Sequence, residues 1–205
     1  MKTLTAYFIV GILFTSQLWG QTIRQTYQIK ALGSKIGSMN SSRQTIGQDV
    51  YYHNNALLEV NLLIKKIRMT AESKTHYRAG QLISSRNEVV VNGEVHSTTT
   101  IEWQGNNYRM QVNDSVYAPL TSPVFFSGSV LYYKEPVNIR QAFSESSGLY
   151  MDIKPKGGGI YQVVDPRNNR DMIHYYKNGI QTQISIKHPL LTLHMIREDL
   201  GTIPK

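Results

Sequence analysis

Two Asn-Gly pairs set the strongest limits on how this chain can fold. Asn92-Gly93 lies within "VVVNGEVHSTTTIEW", and Asn178-Gly179 lies within "HYYKNGIQTQISI". Both central residues of a type I′ turn need a positive φ, which Asn and Gly tolerate, so each pair predicts a two-residue β-hairpin. Between residues 25 and 118, short runs of Val, Ile, Thr and Tyr alternate with further turn signals and show no helical period. The sequence therefore predicts an all-β protein made of consecutive hairpins.

A two-residue turn also fixes the register of its strands, so the faces of each hairpin can be predicted. For the turn at Asn178-Gly179, the face expected to be buried carries Ile173, Tyr175, Ile180, Ile184 and Ile186. The opposite face carries His174, Tyr176, Gln181, Gln183 and Ser185. This pattern is typical of an amphipathic sheet with one buried face.

The register of the Asn92-Gly93 hairpin predicts a face that is apolar at both ends and polar in the middle. Its residues are Leu82, Ser84, Arg86, Glu88, Val90, Val95, Ser97, Thr99, Ile101 and Trp103. If this face points inward, Arg86 and Glu88 lie inside the concave side of the sheet and need a polar ligand or each other. Alternatively the hairpin extends past the core into water, which we favour because charged residues are rarely buried without partners. Arg86, Glu88 and Trp103 are accordingly candidate ligand-binding residues.

The parity of the apolar residues changes along one long β-rich stretch. Apolar residues occupy even positions from Ala56 to Ile64 and odd positions from Ile67 to Ala71. A slip of one residue at Lys65-Lys66 predicts a β-bulge or a corner between two strands. Long strands bent in this way suit an antiparallel meander that forms a barrel or a strongly curved half-barrel.

The stretch "TSPVFFSGSVLYYKEP" predicts one short helix in this all-β chain. Ser122 can cap a helix that has Pro123 in its first turn, and Pro136 would end it. A helix from about Pro123 to Lys134 carries a wide apolar stripe, which we expect to pack on the concave side or the mouth of the sheet. Three residues from this region complete the candidate ligand-binding set: Phe125, Tyr132 and Glu135.

The segments "LYYKEPVNIRQAFSESSG", "YQVVDPRNN" and "HYYKNGIQTQISI" carry a family likeness. They resemble an uncharacterised family of exported Gram-negative β-proteins, in which an LYF-x-EP strip precedes a Phe-Ser-Glu motif and a Tyr-x-Tyr-x-Asn-Gly hairpin. "YQIKALGSKIGSM" is similar to the first hairpin of a wider family of periplasmic β-proteins. The matching positions are Leu131, Tyr132, Glu135, Pro136, Phe143, Ser144, Glu145, Gly148, Tyr176, Asn178 and Gly179. The resemblance implies an antiparallel barrel or curved sheet, and it implies no activity.

Two departures accompany the likeness. Tyr133 stands where the family has phenylalanine, and Asp165-Pro166-Arg167 replaces a Pro-Asp-Gly turn, so this turn is expected to be built differently.

The residues that carry catalytic or metal chemistry form no recognisable motif. The chain has no cysteine, which excludes disulfides, a thiolate nucleophile and the acylated cysteine of a lipoprotein. It has no G-x-S-x-G elbow, and its six histidines show no metal-ligand spacing. We therefore predict no metal or cofactor. Glu135 and Glu145 could pair as the acid and base of a glycosidase, but nothing in the sequence fixes their separation.

The first residues predict export. Lys2 precedes an apolar run that extends to Phe14 and is too short to span a bilayer, the layout of a signal peptide over residues 1–20 with cleavage after Gly20. An uncleaved anchor helix is the alternative. Residues 21–205 then have the length of one domain with a core of its own, and no later stretch could cross a membrane. We expect a periplasmic or secreted monomer.

The net charge of +8 is spread over isolated Lys and Arg residues. Such a distribution is either ordinary solvated charge or a source of loose attraction to anionic surfaces such as lipid head groups. Nucleic acid is not expected as a partner, because the chain has no basic ladder interleaved with aromatic residues and is predicted to be exported.

The leading hypothesis is a non-catalytic, exported β-protein that binds an apolar or lipid-like ligand, or an envelope partner, on its concave side. One alternative is a structural or interaction module of the cell envelope that binds through a sheet edge. The other is a hydrolase acting on glycan or lipid.

Overall fold

The computed structural model describes residues 20–62, 65–167, 170–188 and 191–198, which form one antiparallel sheet of fourteen strands and one short helix. The predicted signal peptide lies outside the described residues except for Gly20. The helix α1 covers Gly128–Leu131. The strands are β1 (Gln21–Ala31), β2 (Ser34–Ile46), β3 (Asp49–Leu62), β4 (Lys65–Arg78), β5 (Gln81–Val91), β6 (Glu94–Trp103), β7 (Tyr108–Val112), β8 (Ser115–Leu120), β9 (Gln141–Ser144), β10 (Leu149–Gly157), β11 (Ile160–Asp165), β12 (Arg170–Lys177), β13 (Ile180–His188) and β14 (Leu191–Arg197). None of the helical structure within these ranges has the length and hydropathy of a membrane span.

The sheet is a curved meander that does not close into a barrel. Its order runs from β8 through β1 to β14 and back to β9, so the first and last strands pair in the middle of the sheet. The two edges, β8 and β9, are joined by residues 121–140, which contain α1. The predicted all-β class, the antiparallel meander and the presence of a short helix are confirmed. Of the two predicted forms, the structure has the curved open sheet and not the closed barrel.

Both Asn-Gly pairs form the predicted turns. Asn92 and Gly93 have φ values of 53° and 90°, and Asn178 and Gly179 have values of 53° and 76°. Each pair thus places two residues in the left-handed region, as a two-residue hairpin turn of this type requires.

A bulge close to each turn makes the predicted faces wrong. In the β12–β13 hairpin the register shifts between Tyr175 and Tyr176, so Gln181 and Ile184 both face the interior although they are three residues apart. The extra residue is Thr182 of β13, and the shift moves the side chains beyond it on that strand to the other face. β12 alternates regularly, and its buried face is the one that carries His174 and Tyr176, not the predicted face of Ile173 and Tyr175.

The β5–β6 hairpin is irregular in the same way. Its register shifts between Val89 and Val90, and β4–β5 has a second shift opposite the start of β5. Leu82 and Ser85 are therefore both buried. The prediction placed Arg86 on the same face as Leu82. In the structure Arg86 lies on the outer face, opposite to Leu82.

The parity change at Lys65-Lys66 marks the reversal between two strands rather than a bulge within one. β3 and β4 pair antiparallel from Leu62 opposite Lys65, and Leu58 lies opposite Met69. The two runs of opposite parity are thus neighbours in the sheet.

Residues 121–140, which join the two sheet edges, contain a shorter helix than predicted. The expected helix from Pro123 to Lys134 is wrong, because α1 begins at Gly128 and has Ser127 at its N-cap. Backbone groups before it bond to strands instead: Leu82 N donates to Val124 O (2.8 Å) and Phe143 N donates to Phe126 O (2.9 Å). Carbonyl groups bonded to strands in this way cannot also form the first turn of a helix.

Three hydrophobic clusters meet at α1. Val130 packs into a first cluster and Leu131 into a second, while Tyr132 packs against a third. The first draws on strands β3–β7 and β9, the second on β9–β12, and the third on β1–β3, β13 and β14. One helical turn can contact strands from both halves of the sheet only because the sheet wraps around it.

We predict that Leu131→Ala destabilises the protein by about 2–5 kcal/mol, because the side chain is 1% exposed and its removal leaves a cavity beneath α1. The measurement is equilibrium unfolding in urea. Phe125→Ala is the matched control, since Phe125 lies in the same segment but is 64% exposed, and we expect a change within about 0.5 kcal/mol. Equal effects of the two substitutions would contradict the packing described above.

Candidate functional site

A cavity of about 580 Å³ lies between α1 and the concave face of the sheet. Ligand pockets in proteins commonly measure about 300–1,000 Å³. Its wall is mainly apolar, and five of the seven methionines of the chain contribute to it: Met39, Met69, Met151, Met172 and Met195. Each comes from a different strand. The cavity therefore has the size and lining of a site for a small apolar molecule.

Methionine gives this wall an adaptable shape. Its side chain is unbranched and its thioether is polarisable, so it fills irregular spaces and repacks around different guests. Surfaces rich in methionine are typical of proteins that accept flexible or varied partners.

Glu145, in the turn between β9 and β10, is the most firmly held polar residue of the wall. Its Oε1 accepts hydrogen bonds from Ser127 Oγ (2.5 Å) and from Ser129 N (3.0 Å). Ser127 Oγ in turn accepts a hydrogen bond from Tyr77 (2.6 Å), and Asn87 Nδ2 donates to the backbone oxygen of Glu145 (2.9 Å). Burial, followed by the charge of Glu145, raises the pKa of Tyr77, so the tyrosine remains a donor.

The second carboxylate oxygen of Glu145, Oε2, differs from Oε1 in its hydrogen bonding. Among the described residues, Oε2 makes no hydrogen bond or ion pair. It lies beside Gly128, where an added Cβ would come within 2.9 Å of it. Both residues belong to the cavity wall. The absence of a side chain at Gly128 therefore leaves space for this oxygen.

Tyr132 also presents its side chain to the cavity. Its ring lies edge-on to that of Tyr27, with centroids 6.0 Å apart, and its hydroxyl makes no hydrogen bond with the described part of the chain. Burial, with a smaller contribution from Glu145, raises the pKa of Tyr132 to about 12. The hydroxyl is thus neutral at physiological pH and can donate a hydrogen bond.

A buried network assigns the tautomer of His174, another residue of the wall. Gln181 Oε1 accepts from the Tyr27 hydroxyl (3.0 Å) and Gln181 Nε2 donates to Leu131 O (3.1 Å), which fixes the orientation of the amide. The same Nε2 lies 2.9 Å from His174 Nδ1, which must then be an acceptor. The proton of the neutral ring is consequently on Nε2, which is buried and has no partner among the described residues. Burial lowers the pKa of His174 to about 4.

The charged residues along the wall are Glu72, Glu145, Asp165 and Arg170. Glu72 lies opposite Glu88 in the β4–β5 ladder and binds Lys74, so its carboxylate is on the outer face of the sheet. Asp165 and Arg170 lie opposite each other in the β11–β12 ladder. Glu145 remains, and it makes no ion pair with the described residues.

Of the six predicted ligand-binding residues, the structure places Tyr132 in the cavity wall. Arg86 and Glu88 lie on the outer face of β5, where Arg86 Nη2 donates to Glu88 Oε2 at 3.0 Å. They do not enter the concave side. Trp103 packs against the first cluster, with its ring centroid 4.7 Å from that of Tyr108.

The last two predicted residues also lie away from the cavity wall. Phe125 is exposed, and Glu135 accepts a hydrogen bond from the Tyr161 hydroxyl (2.8 Å). Glu135 and Glu145 therefore have different partners, and only Glu145 of the two lines the cavity. Ligand binding by any of the six remains a prediction. Within the described ranges, no group of three His, Asp or Glu residues is arranged to hold a metal ion.

Sequence reasoning missed the polar residues that distinguish this cavity. Glu145 was considered only as half of a carboxylate pair, and His174 was expected on a solvated face. The signal for Glu145 was its place three residues before Gly148, whose positive φ of 70° completes the tight turn that directs the carboxylate inward. No signal in the sequence marked the face of β12 that carries His174 as the buried one, because its side chains are more polar than those of the opposite face.

Fold and cavity together define a class: an all-β protein of one open, curved antiparallel sheet that encloses an apolar cavity under a short helix. The chain belongs to the family described as a domain of unknown function, DUF6134, whose model matches residues 27–198. No curated protein and no solved structure shows a significant match to the chain. Membership of a domain family of unknown function agrees with the family resemblance, whereas Gram-negative export and the individual motifs stay predictions.

We predict that His174 makes stability pH-dependent. Its pKa falls from an ordinary value of 6.5 to about 4 on folding, so the unfolded chain takes up the proton first as the pH drops. The stabilisation from the neutral ring is complete above pH 6.5 and is lost between pH 6.5 and 4, by on the order of 3 kcal/mol. The free energy of unfolding in urea, measured across this range, should fall more steeply for the native protein than for His174→Gln. His96→Gln removes an exposed histidine and should keep the native slope. An unchanged slope in His174→Gln would contradict the assignment.

Proposed function

We propose that this protein is exported and binds one amphipathic small molecule, with the hydrocarbon part of that molecule in the methionine-lined cavity. The observation that carries the proposal is the cavity itself, about 580 Å³ in volume and mainly apolar. Transfer of hydrocarbon from water to such a site contributes about 0.8 kcal/mol for each buried CH₂ group.

The position of the cavity supports a binding role. It lies between the central strands, such as β1 and β14, and the segment that joins the two sheet edges. The third cluster forms its deep wall, with Ile29, Leu58 and Ile184. Polar groups of the wall include Glu145 and Tyr132 near α1, and Asn54 and Asn87 on the strands. A mainly apolar wall with a few polar groups matches a molecule with a hydrocarbon tail and a polar head.

Export rests on the first residues of the chain. The apolar run that begins near Leu4, the small residue Gly20 and the start of the sheet at Gln21 support a cleaved leader. Native mass spectrometry of the protein purified from its own host tests both parts of the proposal. We expect a chain that begins at Gln21 and an additional bound mass of one small molecule.

A second candidate is an envelope module that pairs with a partner through β8. This edge strand is exposed along most of its length, and Val116 and Tyr117 present large apolar side chains to solvent. Exposed edges of this kind can accept an added strand. Such binding would not depend on the cavity, so a variant with a filled cavity distinguishes the two functions.

We predict that Ala71→Phe weakens ligand binding by occupying part of the cavity. Ala71 lies in the cavity wall, and its neighbour Thr70 points to the other face of β4, so Thr70→Phe is the matched control. The probe is N-phenylnaphthylamine, an uncharged dye whose fluorescence rises in apolar surroundings. The native protein and the control should bind it saturably at one site, and Ala71→Phe should bind it at least about tenfold more weakly.

The proposal fails if the native protein binds neither this dye nor any host molecule. It also fails if the dye binds Ala71→Phe as tightly as it binds the native protein.

A further inference from the structure

Glu145 combines burial with an unused charge. Glu145 is 5% exposed, and its Oε2 has no hydrogen-bond or ion-pair partner among the described residues. A buried carboxylate without a counter-ion is strongly unfavourable unless a partner arrives. A residue of the cavity wall in this state indicates that the partner comes from the ligand.

The fold holds this oxygen in a fixed place. Ser127 and Ser129 bind Oε1, so the carboxylate cannot rotate freely. Asn87 holds the backbone of the same residue, and Gly128 leaves room beside Oε2. A preorganised acceptor of this kind binds a donor without losing side-chain entropy.

The remaining charges of the wall do not offset that of Glu145. Asp165 and Arg170 lie opposite each other in the β11–β12 ladder, and the carboxylate of Glu72 binds Lys74 on the outer face of the sheet. Arg170 also has interactions of its own within the protein. The other polar residues of the interior, Tyr132 and His174, are neutral. A ligand with a carboxylate head would therefore meet like charge in a poorly solvated site.

We propose that the ligand is a cationic amphiphile whose ammonium group pairs with Glu145 Oε2 while its hydrocarbon chain lies among the methionines. This inference rests on the proposed function and adds the chemical class of the ligand. It also excludes free fatty acids as the preferred guest. Hydrogen bonds to charged groups are among the strongest in protein interiors, so the pair supplies selectivity as well as affinity.

The test is displacement of N-phenylnaphthylamine by three compounds with the same chain: decylamine, decanol and decanoate. We expect decylamine to bind most tightly and decanoate most weakly. Glu145→Gln should weaken the binding of decylamine by about tenfold to a hundredfold, because one charged hydrogen bond is lost. The same variant should change decanol by less than about threefold, because the amide oxygen of Gln can still accept from Ser127 and Ser129.

Two further variants separate charge from structure. Glu72→Gln removes a carboxylate from the same part of the sheet, but the side chain of Glu72 lies on the outer face, where it binds Lys74 and His53, both at 2.9 Å. It should change decylamine affinity by less than about threefold. Gly128→Ala keeps the carboxylate of Glu145 but displaces Oε2. It should therefore weaken the binding of decylamine and leave the binding of decanol unchanged. This variant also provides the test if Glu145→Gln does not fold.

The inference is overturned if decanoate or decanol binds more tightly than decylamine, or if Glu145→Gln and Gly128→Ala leave decylamine unchanged. In either case binding of the dye and decanol would still uphold the proposed function. If none of these compounds and no dye binds, the proposed function itself is refuted.

Discussion

The structure depends on the capping of one helical turn by side chains that the sheet provides. A helix of four residues cannot stand alone, since its backbone groups have almost no partners within the helix. At its start, Glu145 Oε1 accepts from Ser129 N. At its end, Leu131 O accepts from the Tyr176 hydroxyl (2.6 Å) and from Gln181 Nε2 (3.1 Å). The turn exists because the β9–β10 turn and the strands β12 and β13 complete its hydrogen bonds.

This capping also determines how an open sheet can bury its concave face. A meander with two free edges gains no closure from its backbone pairing, so curvature must be maintained by what lies inside. Val130 and Leu131 enter two different clusters, the first drawn mainly from β3–β7 and the second from β9–β12. The hydrogen bonds that the turn makes with Glu145 and Gln181 hold it in the orientation that permits both contacts. Loss of the turn would therefore separate the two halves, not merely expose a loop.

The sequence predicted the features that local chemistry controls and missed those that depend on bulges. Asn178 and Gly179 predict a turn because few other residues tolerate positive φ, and that prediction is confirmed. The faces beyond the turn depend on a register shift that no residue type marks. Gln181 was missed for a different reason: it lies between the turn and the shift, on the predicted face with Tyr176, but this polar face is the buried one and Gln181 caps Leu131 there.

The same reasoning explains why the predicted helix was too long and the polar site went unrecognised. Val124 and Phe126 look helical as part of an apolar run, but their carbonyls bond to strands that are distant in sequence. Such long-range pairing overrides local propensity. Of the candidate residues, Tyr132 lies in the cavity wall, since it follows directly from the apolar strip that the sheet must cover. Arg86 and Glu88 were assigned from parity alone, and two register shifts moved them to the outer face.

The polarity of the cavity follows from the capping that holds the fold together. The start of α1 needs an acceptor for Ser129 N, and the acceptor here is a carboxylate, which has two oxygens. Only Oε1 takes part in the cap, so Oε2 remains as a charged group beside an apolar space. Helix capping thus depends on one oxygen of this side chain, and the ligand selectivity that we propose depends on the other. A change that keeps an acceptor at Oε1 and removes the charge at Oε2 therefore separates the structural contribution of Glu145 from its proposed role in binding.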